Sequence, residues 1–239
     1  MDKYMKLKDI PKGQRWEHFW TYYKVQTIIG AFVVLLVAML VKDVVFKEKV
    51  DIYLTVASSE YASDAVSTEL SRVLQQYGED FDGNGDLSVY VDQITMSTES
   101  YTVDPEMVMA AQTRLIAQFQ DKNQIIFLMD QDIYDYLNYD EEGEDTAIFA
   151  DLADTVGGSV TPLLGEETDK LYLKDIPAYQ ENELLQQLPQ EMFFVMRREQ
   201  DVNPKGDEEI AEIYQRSVKM MENLASGTVS ELAASAQES

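Results

Sequence analysis

The amino-acid sequence predicts one N-terminal transmembrane helix followed by a three-layer α/β domain with a mainly parallel sheet. Two observations lead to this fold class. Residues 25–41 contain no charged side chain, and no other segment of the 239-residue chain is nearly so apolar. In residues 50–129 the spacing of apolar residues then alternates between the period typical of strands and the period typical of helices. We therefore expect a cytoplasmic and interfacial segment at 1–24, a transmembrane helix at 25–46, an extracytoplasmic domain at 50–225 and a frayed polar tail at 226–239.

The apolar run of residues 25–41 is close to the minimum length of a membrane span. As a helix it measures about 25 Å, against a hydrocarbon core of about 30 Å, and residues 44–46 extend it if the Lys42 side chain reaches back to the surface. A buried helix of a soluble domain is the alternative, but such a helix usually carries a polar stripe, which this run lacks. A cleaved signal peptide is disfavoured because no small-residue cleavage site follows. We expect an uncleaved signal anchor.

Charge is distributed very unevenly along the chain. Residues 1–24 hold six Lys or Arg and three Asp or Glu, a net of +3, so that end should stay in the cytoplasm by the positive-inside rule. Residues 51–239 hold 10 Lys or Arg and 39 Asp or Glu, a net of −29, and should lie on the outer face of the plasma membrane. Nucleic acid is excluded as a partner because phosphate binding needs basic stripes. Cations and basic surfaces are the favoured neighbours.

A cluster of aromatic residues precedes the apolar run. Five of the eight residues from 16 to 23 are aromatic and a lysine follows them, the set being Trp16, Phe19, Trp20, Tyr22, Tyr23 and Lys24. This composition is typical of a membrane interface, where amphipathic rings lie among the headgroups. A docking surface for a transmembrane partner protein is the alternative. His18, the only histidine, has no cysteine partner and is interpreted as an interfacial residue rather than a metal ligand.

The first half of the outer domain has the pattern of two strand-helix-strand units. Residues 50–58 alternate as a strand, residues 63–77 form an amphipathic helix with Gly78 as its C-terminal cap, and residues 87–94 alternate as a second strand. A second helix follows, and residues 124–129 are almost continuously apolar, as in a parallel strand covered on both faces. We expect right-handed crossovers between these strands, and of the strand orders that such crossovers permit we choose 2-1-3.

The remaining elements follow from caps and periodicity. Asp104 and Pro105 open the second helix, which runs to Gln120 with a predicted core face of Met107, Ala111, Leu115 and Phe119. After Met129 we expect a short helix, an acidic loop at 139–146, a strand at 192–196 and a last helix at 207–224. Four methionines are interpreted as core residues rather than a ligand site: Met107, Met109, Met192 and Met196.

The run from the first strand to Leu152 resembles the first lobe of the extracytoplasmic solute-binding proteins of ABC importers, which have the type 2 periplasmic-binding fold. The third strand ends in Asp130 and a segment Ile-Phe-Ala-Asp-Leu follows at 148–152. With Trp-x-Tyr-Tyr-Lys at 20–24, the whole chain is similar to single-pass membrane proteins of Gram-positive anaerobes. Such binding proteins hold ligand between two lobes, whereas residues 153–239 are too few for a second lobe. The resemblance implies the fold and the export side, without ligand-binding residues.

The best metal candidate is the loop of residues 79–88. Four of its residues occupy positions 1, 3, 5 and 7 of an EF-hand-like calcium loop, namely Asp80, Asp82, Asn84 and Asp86. Position 12 is Val91, where a bidentate carboxylate is required, so any calcium site would be weak. The alternative is a helix-to-strand turn, because Asp, Asn and Gly tolerate left-handed conformations. The acidic run at 140–145 is interpreted as a solvated loop.

Motifs of enzyme chemistry are missing from the sequence of the outer domain. It has no cysteine, no histidine, no Gly-x-Ser-x-Gly elbow and no glycine-rich phosphate loop before a helix. We expect a non-catalytic, membrane-anchored interaction or accessory subunit of a membrane protein assembly, in contact with the lipid bilayer and a membrane protein partner. A tethered solute-binding or cation-binding receptor is the alternative. A hydrolase with a carboxylate pair is a third class, which no spacing of the 39 acids selects.

Overall fold

The computed structural model describes residues 15–45, 50–80, 83–85, 87–96, 105–139, 146–230 and 233–234. The chain divides into two compact units, Met1–Glu48 and Lys49–Ser239. The first unit contains helix α1 (Arg15–Val45), 31 residues long, whose side chains are described at Trp20 and at 24–39. Within the part of the chain described in this way, no helix is both long enough and apolar enough to cross a membrane.

The second unit is an α/β domain built on a five-strand mixed sheet. Its strands are β1 (Ile52–Ser58), β2 (Val89–Thr95), β3 (Ile126–Met129), β4 (Leu171–Tyr172) and β5 (Phe193–Met196). They lie in the order β2-β1-β3-β5-β4. Strands β2 and β3 run parallel to β1, whereas β5 is antiparallel to both β3 and β4. The expected order of the first three strands is confirmed, and the parallel half of the sheet is confined to them.

Seven further helices accompany the sheet in the described residues. They are α2 (Asp64–Leu74), α3 (Pro105–Gln120), α4 (Gln131–Asn138), α5 (Leu152–Thr155), α6 (Pro177–Gln180), α7 (Glu199–Val202) and α8 (Glu208–Ser226). Short 3₁₀ turns lie at Thr161–Leu163, Leu173–Asp175 and Leu185–Gln187. The four predicted helices of the domain are confirmed as α2, α3, α4 and α8. Ser63, Asp130 and Asp207 cap three of them by accepting a backbone N–H in the first turn.

The hydrophobic core divides into two clusters, one on each face of the sheet. Alternate residues of β1, such as Leu54 and Val56, pack with α2 and α8 in one cluster. Phe127 of β3 and Phe193 of β5 point to the other face, where α3 and α4 cover them. All four residues of β3 are buried. Because both faces of this strand are covered, its sequence is apolar throughout instead of alternating.

Helix α3 contacts the core less extensively than its periodicity predicts. Leu115 is fully buried, and Ala111 and Phe119 are partly buried against the same cluster. Met107 is 67% exposed and Met109 is 68% exposed, so the assignment of these two methionines to the core is wrong. Only a narrow stripe near the middle and end of α3 lies against the sheet. The core assignment is confirmed for Met192 and Met196, which flank or belong to β5.

Gly78 lies close to neighbouring side chains and does not end a helix. Helix α2 ends in a right-handed residue, Gln75, and the backbone of Gly78 does not have a positive φ angle. A Cβ atom at Gly78 would lie 2.6 Å from Cδ1 of Ile52 and 2.7 Å from Cδ2 of Leu87. The predicted role as a C-terminal cap is therefore wrong. Helix α8 does end in this way, at Gly227 with φ 68°.

The carboxylate of Glu69 links α2 to the turn after α6. It accepts hydrogen bonds from Arg72 Nε at 2.8 Å and from Asn182 Nδ2 at 2.6 Å. The bond from Arg72, followed by that from Asn182, lowers the pKa of Glu69 to about 2. An unfolded glutamate has a pKa of about 4.3. The ionised carboxylate therefore stabilises the fold above that pH, and this contribution is lost as the pH falls towards 2.

We expect Glu69→Gln to reduce the dependence of stability on pH between about 4.5 and 2, because the variant cannot lose that contribution. The measurement is urea unfolding of residues 49–239, monitored by circular dichroism at several pH values across this range. Glu183→Gln, at an exposed position near Asn182, is the control and should keep the wild-type slope. Equal slopes for wild type and Glu69→Gln would contradict the assignment.

Candidate functional site

The carboxyl ends of β1 and β3 lie side by side at one edge of the sheet. The two strands that follow β1 in the sequence, β2 and β3, lie on opposite sides of β1. Ligands of open α/β sheets bind outside the carboxyl ends of the strands at such a switch point. The polar residues at and beside this edge are therefore the first candidates for a functional site.

Asp130 follows β3 directly and connects this edge to the start of α4. Its Oδ1 accepts the backbone N–H of Ile133 at 3.0 Å, which caps the helix. Its Oδ2 accepts the backbone N–H and the hydroxyl of Ser59, each at 2.6 Å. The carboxylate thus has three donors from within the domain. These bonds fasten the end of β1 to the start of α4.

Lys170 lies just before β4 and is only 2% exposed. Its Nζ donates to Oε1 of Glu167 at 2.7 Å and to Oε1 of Gln131 at 3.0 Å. The same nitrogen lies 4.1 Å from the ring centroid of Tyr134 and 4.9 Å from that of Phe193. A buried cation is stable only with such compensation, here from a carboxylate, an amide oxygen and two aromatic faces.

Further polar contacts extend from Lys170 to α4 and β4. The hydroxyl of Tyr172 donates to Oε2 of Glu167 at 2.8 Å, and that of Tyr134 donates to Oδ2 of Asp169 at 2.5 Å. The bond from Lys170 is the largest cause that lowers the pKa of Glu167. Burial, followed by the bond to Glu167, raises the pKa of Tyr172 to about 12. We call this set the Lys170 cluster: Gln131, Tyr134, Glu167, Asp169, Lys170 and Tyr172.

The geometry of the Lys170 cluster favours a structural role. A lysine acts as a nucleophile or base only when its amine is neutral and open to a substrate. The Nζ of Lys170 instead forms an ion pair with Glu167 and lies beneath aromatic rings. The cluster joins α4, β4 and the segment before β4, and Lys170 also contacts Phe193 of β5. Sequence reasoning missed it, although a lysine directly before the apolar residues of β4 was a usable signal.

The predicted calcium residues are described only in part. Asp80 and Asn84 are described, while Asp82 and Asp86 lie outside the described residues. The carboxylate of Asp80 accepts the backbone N–H groups of Gly83 at 2.7 Å and Gly85 at 2.8 Å. Both glycines have positive φ angles, 69° and 92°, as expected for a tight turn. No group of three or more Asp, Glu, His or Cys suited to a metal occurs among the described residues. Weak calcium binding stays a hypothesis.

The predicted interfacial residues all belong to α1. Side chains are described for Trp20 and Lys24, both exposed, while those of Trp16, Phe19, Tyr22 and Tyr23 lie outside the description. Every described side chain from 24 to 39 is exposed. The large apolar ones among them have exposures between 44% at Leu36 and 68% at Val34. The apolar surface therefore surrounds the helix instead of forming one stripe.

Three open grooves lie on the described surface of the domain. One, beside α8, is lined mainly by polar and charged groups, including Asp151, Arg198 and Asn203. Glutamines dominate the second, and the third lies between α2 and β2. Each groove contains a single aromatic residue: Tyr214, Tyr179 and Tyr90, respectively. An aromatic-lined pocket with convergent polar groups, the usual form of a small-molecule site, is not what these grooves present.

Comparisons of the chain with protein-family models, with curated proteins and with solved structures find no match. The resemblance to one lobe of a solute-binding protein therefore stays a prediction from sequence.

Proposed function

We propose that the chain is a non-catalytic, single-pass accessory subunit of a membrane protein assembly. Helix α1 spans the plasma membrane with its N-terminus in the cytoplasm, and the α/β domain is an interaction module on the outer face. The observation that carries the proposal is the apolar surface around α1 between Val25 and Met39. In water each Å² of such surface costs about 25 cal/mol. Lipid chains and the helices of a membrane partner are the surroundings that remove this cost.

The charge distribution supports the orientation. The net charge of +3 on residues 1–24 favours the cytoplasmic side, and the net charge of −29 on residues 51–239 keeps the domain soluble and away from anionic lipid. The polar contacts of the domain support a non-catalytic role. Asp130 and Lys170, two ionisable residues near the carboxyl edge of the sheet, both form hydrogen bonds within the domain.

A tethered receptor for a solute or a cation is the second candidate. The observation in its favour is the polar cluster beside the carboxyl edge of the parallel strands, the edge where related architectures bind ligands. The receptor is the less favoured candidate because of the way the chain folds after Leu152. Strands β4 and β5 join the same sheet as β1 to β3, and α8 packs in the same core. These residues therefore belong to the same domain as β1 to β3 and do not begin a second lobe, whereas a periplasmic-type receptor holds its ligand in a cleft between two lobes.

The anchoring is tested by placing charges in the middle of the apolar run. We expect the full-length wild type to stay in the membrane fraction after alkaline carbonate extraction. The double substitution Val33→Arg and Leu36→Arg should release it, because each arginine costs about 2.5 to 3.5 kcal/mol at the centre of a span. Val33→Leu with Leu36→Val is the matched control and should remain anchored. Release of the wild type by carbonate would overturn the proposal.

The choice between subunit and receptor is tested by purifying the full-length chain from its native membrane in mild detergent. We expect mass spectrometry to find a membrane protein at comparable stoichiometry after a salt wash. That partner should be lost when residues 25–41 are replaced by an unrelated apolar helix or when residues 50–239 are removed. A chain that is purified alone, and gains thermal stability with a solute or with calcium, would support the receptor instead.

A further inference from the structure

Helix α3 has an outward face that is exposed in the described part of the domain. Five side chains on this face are exposed: Met109, Ala110, Thr113, Ile116 and Ala117. At 100° per residue they fall within an arc of about 120° centred on Thr113. The face lies opposite Leu115, through which α3 packs against the sheet. The domain thus presents a helix surface, about two and a half turns long, of apolar and small side chains.

This face differs in charge from the rest of the domain. Helix α3 contains one acid, Glu106, and one base, Arg114, so its net charge is zero, whereas residues 51–239 carry −29. Arg114 pairs with Asp92 of β2 and so belongs to the domain's own contacts. A foreign partner would gain most from basic groups placed against the many carboxylates. The outward side chains between Met109 and Ala117 are uncharged, which instead suits a partner that carries the same negative charge.

The spacing of the exposed residues is also self-complementary. If two copies of α3 pack antiparallel about a two-fold axis at Thr113, residues equally distant from Thr113 share a layer. Met109 of one copy then lies beside Ala117 of the other, and Ile116 lies beside Ala110. Each layer combines one long side chain with one alanine, the alternation that lets two helices interdigitate. The outer layers combine Glu106 with Gln120, which are able to hydrogen-bond.

We propose that the outward face of α3 is a homodimer contact, in which a second copy of this chain packs antiparallel through Met109, Thr113 and Ile116. One helix face buries less than the roughly 800 Å² per partner of a standard interface, so the contact is weak in dilute solution. Confinement of both copies to one membrane raises their effective concentration. In this respect the contact rests on the proposed membrane anchoring.

The absence of cysteine from the chain allows a direct test with single introduced thiols. Thr113→Cys is made in the full-length chain, in its membrane, and oxidised with diamide. The matched control is Thr68→Cys on α2, because both threonines are exposed and each donates its hydroxyl to the carbonyl four residues earlier at 2.8 Å. We expect a disulfide-linked homodimer from Thr113→Cys and about tenfold less from Thr68→Cys, since a disulfide needs Cα atoms within about 7 Å.

A second substitution tests the layers. Ile116→Glu, added to Thr113→Cys, places a carboxylate from each copy in the contact and should reduce the dimer about tenfold. Equal cross-linking at the two cysteine sites, cross-linking of Thr113→Cys to another protein, or no cross-linking would each overturn the homodimer. If the chain resists carbonate extraction but forms no dimer, the contact fails and the anchoring stands. If carbonate releases the chain but the dimer forms, the anchoring fails and the contact stands.

Discussion

Replacing Arg197 by methionine is expected to lower the free energy of unfolding by about 3 kcal/mol. Arg197 follows β5 and is 7% exposed. Its Nη1 donates to the carbonyls of Asp121 at 2.8 Å and Gln124 at 3.2 Å, and its guanidinium lies 4.8 Å from the ring centroid of Phe119. Burial lowers the pKa of Arg197, but arginine remains charged at neutral pH. Methionine fills much of the volume and leaves the two carbonyls without these donors.

The adjacent Arg198 provides a control of the same residue type. Its Nε bonds Oδ2 of Asp201 at 2.7 Å, and both side chains are about one-third exposed, so Arg198→Met should cost less than about 1 kcal/mol. Urea unfolding of residues 49–239 at pH 7, monitored by circular dichroism, measures the free energy of unfolding of both variants. Equal losses at the two positions, or no loss at Arg197, would show that the buried guanidinium does not hold β5 to the turn before β3.

Replacing Lys170 by alanine is expected to cost about 3 kcal/mol, through an empty space in the core and the loss of the contacts to Glu167, Gln131 and Tyr134. Lys170→Met should cost about half as much, because methionine fills the space and its sulfur packs well against aromatic rings. The difference between the two variants separates packing from charge. Thermal unfolding of residues 49–239 measures both.

Lys174→Ala is the control for the Lys170 substitutions. Lys174 also lies over an aromatic ring, 4.8 Å from the centroid of Tyr172, but it is exposed, so its replacement should cost less than about 1 kcal/mol. If Lys170→Met proved as stable as the wild type, the ion pair and the cation–π contacts would contribute nothing net. The Lys170 cluster would then be a packing feature alone.

Local patterns predicted the elements of the domain better than its long-range pairings. The apolar run that became β3 and the amphipathic helix that became α2 are each determined by adjacent residues, whereas right-handed crossovers permit the order 2-1-3 but do not determine it. The position of β5 beside β3 depends on pairing between distant segments, which no periodicity encodes. Strand β4 is two residues long, too short for any pattern.

The errors in single residues have a common physical origin. Helical periodicity assigned Met107 to the core, but whether a face is covered depends on how far the neighbouring sheet extends. Gly78 follows a helix, yet its close neighbours are Ile52 and Leu87, which come from elsewhere in the chain. The Lys170 cluster also combines residues from distant segments. Tertiary neighbours decided each case, and these are invisible to a window of adjacent residues.

The sheet order has a consequence for how the chain folds as it is synthesised. Strand β3 pairs with β1 on one side and with β5 on the other, and β5 is the last of the described strands to emerge. Until Phe193 is available, a nascent domain has β3 as an open edge, apolar on both faces and able to pair with other extended chains. Strand β5 therefore acts as the closing element of the sheet, and a chain that stops before it retains an aggregation-prone edge.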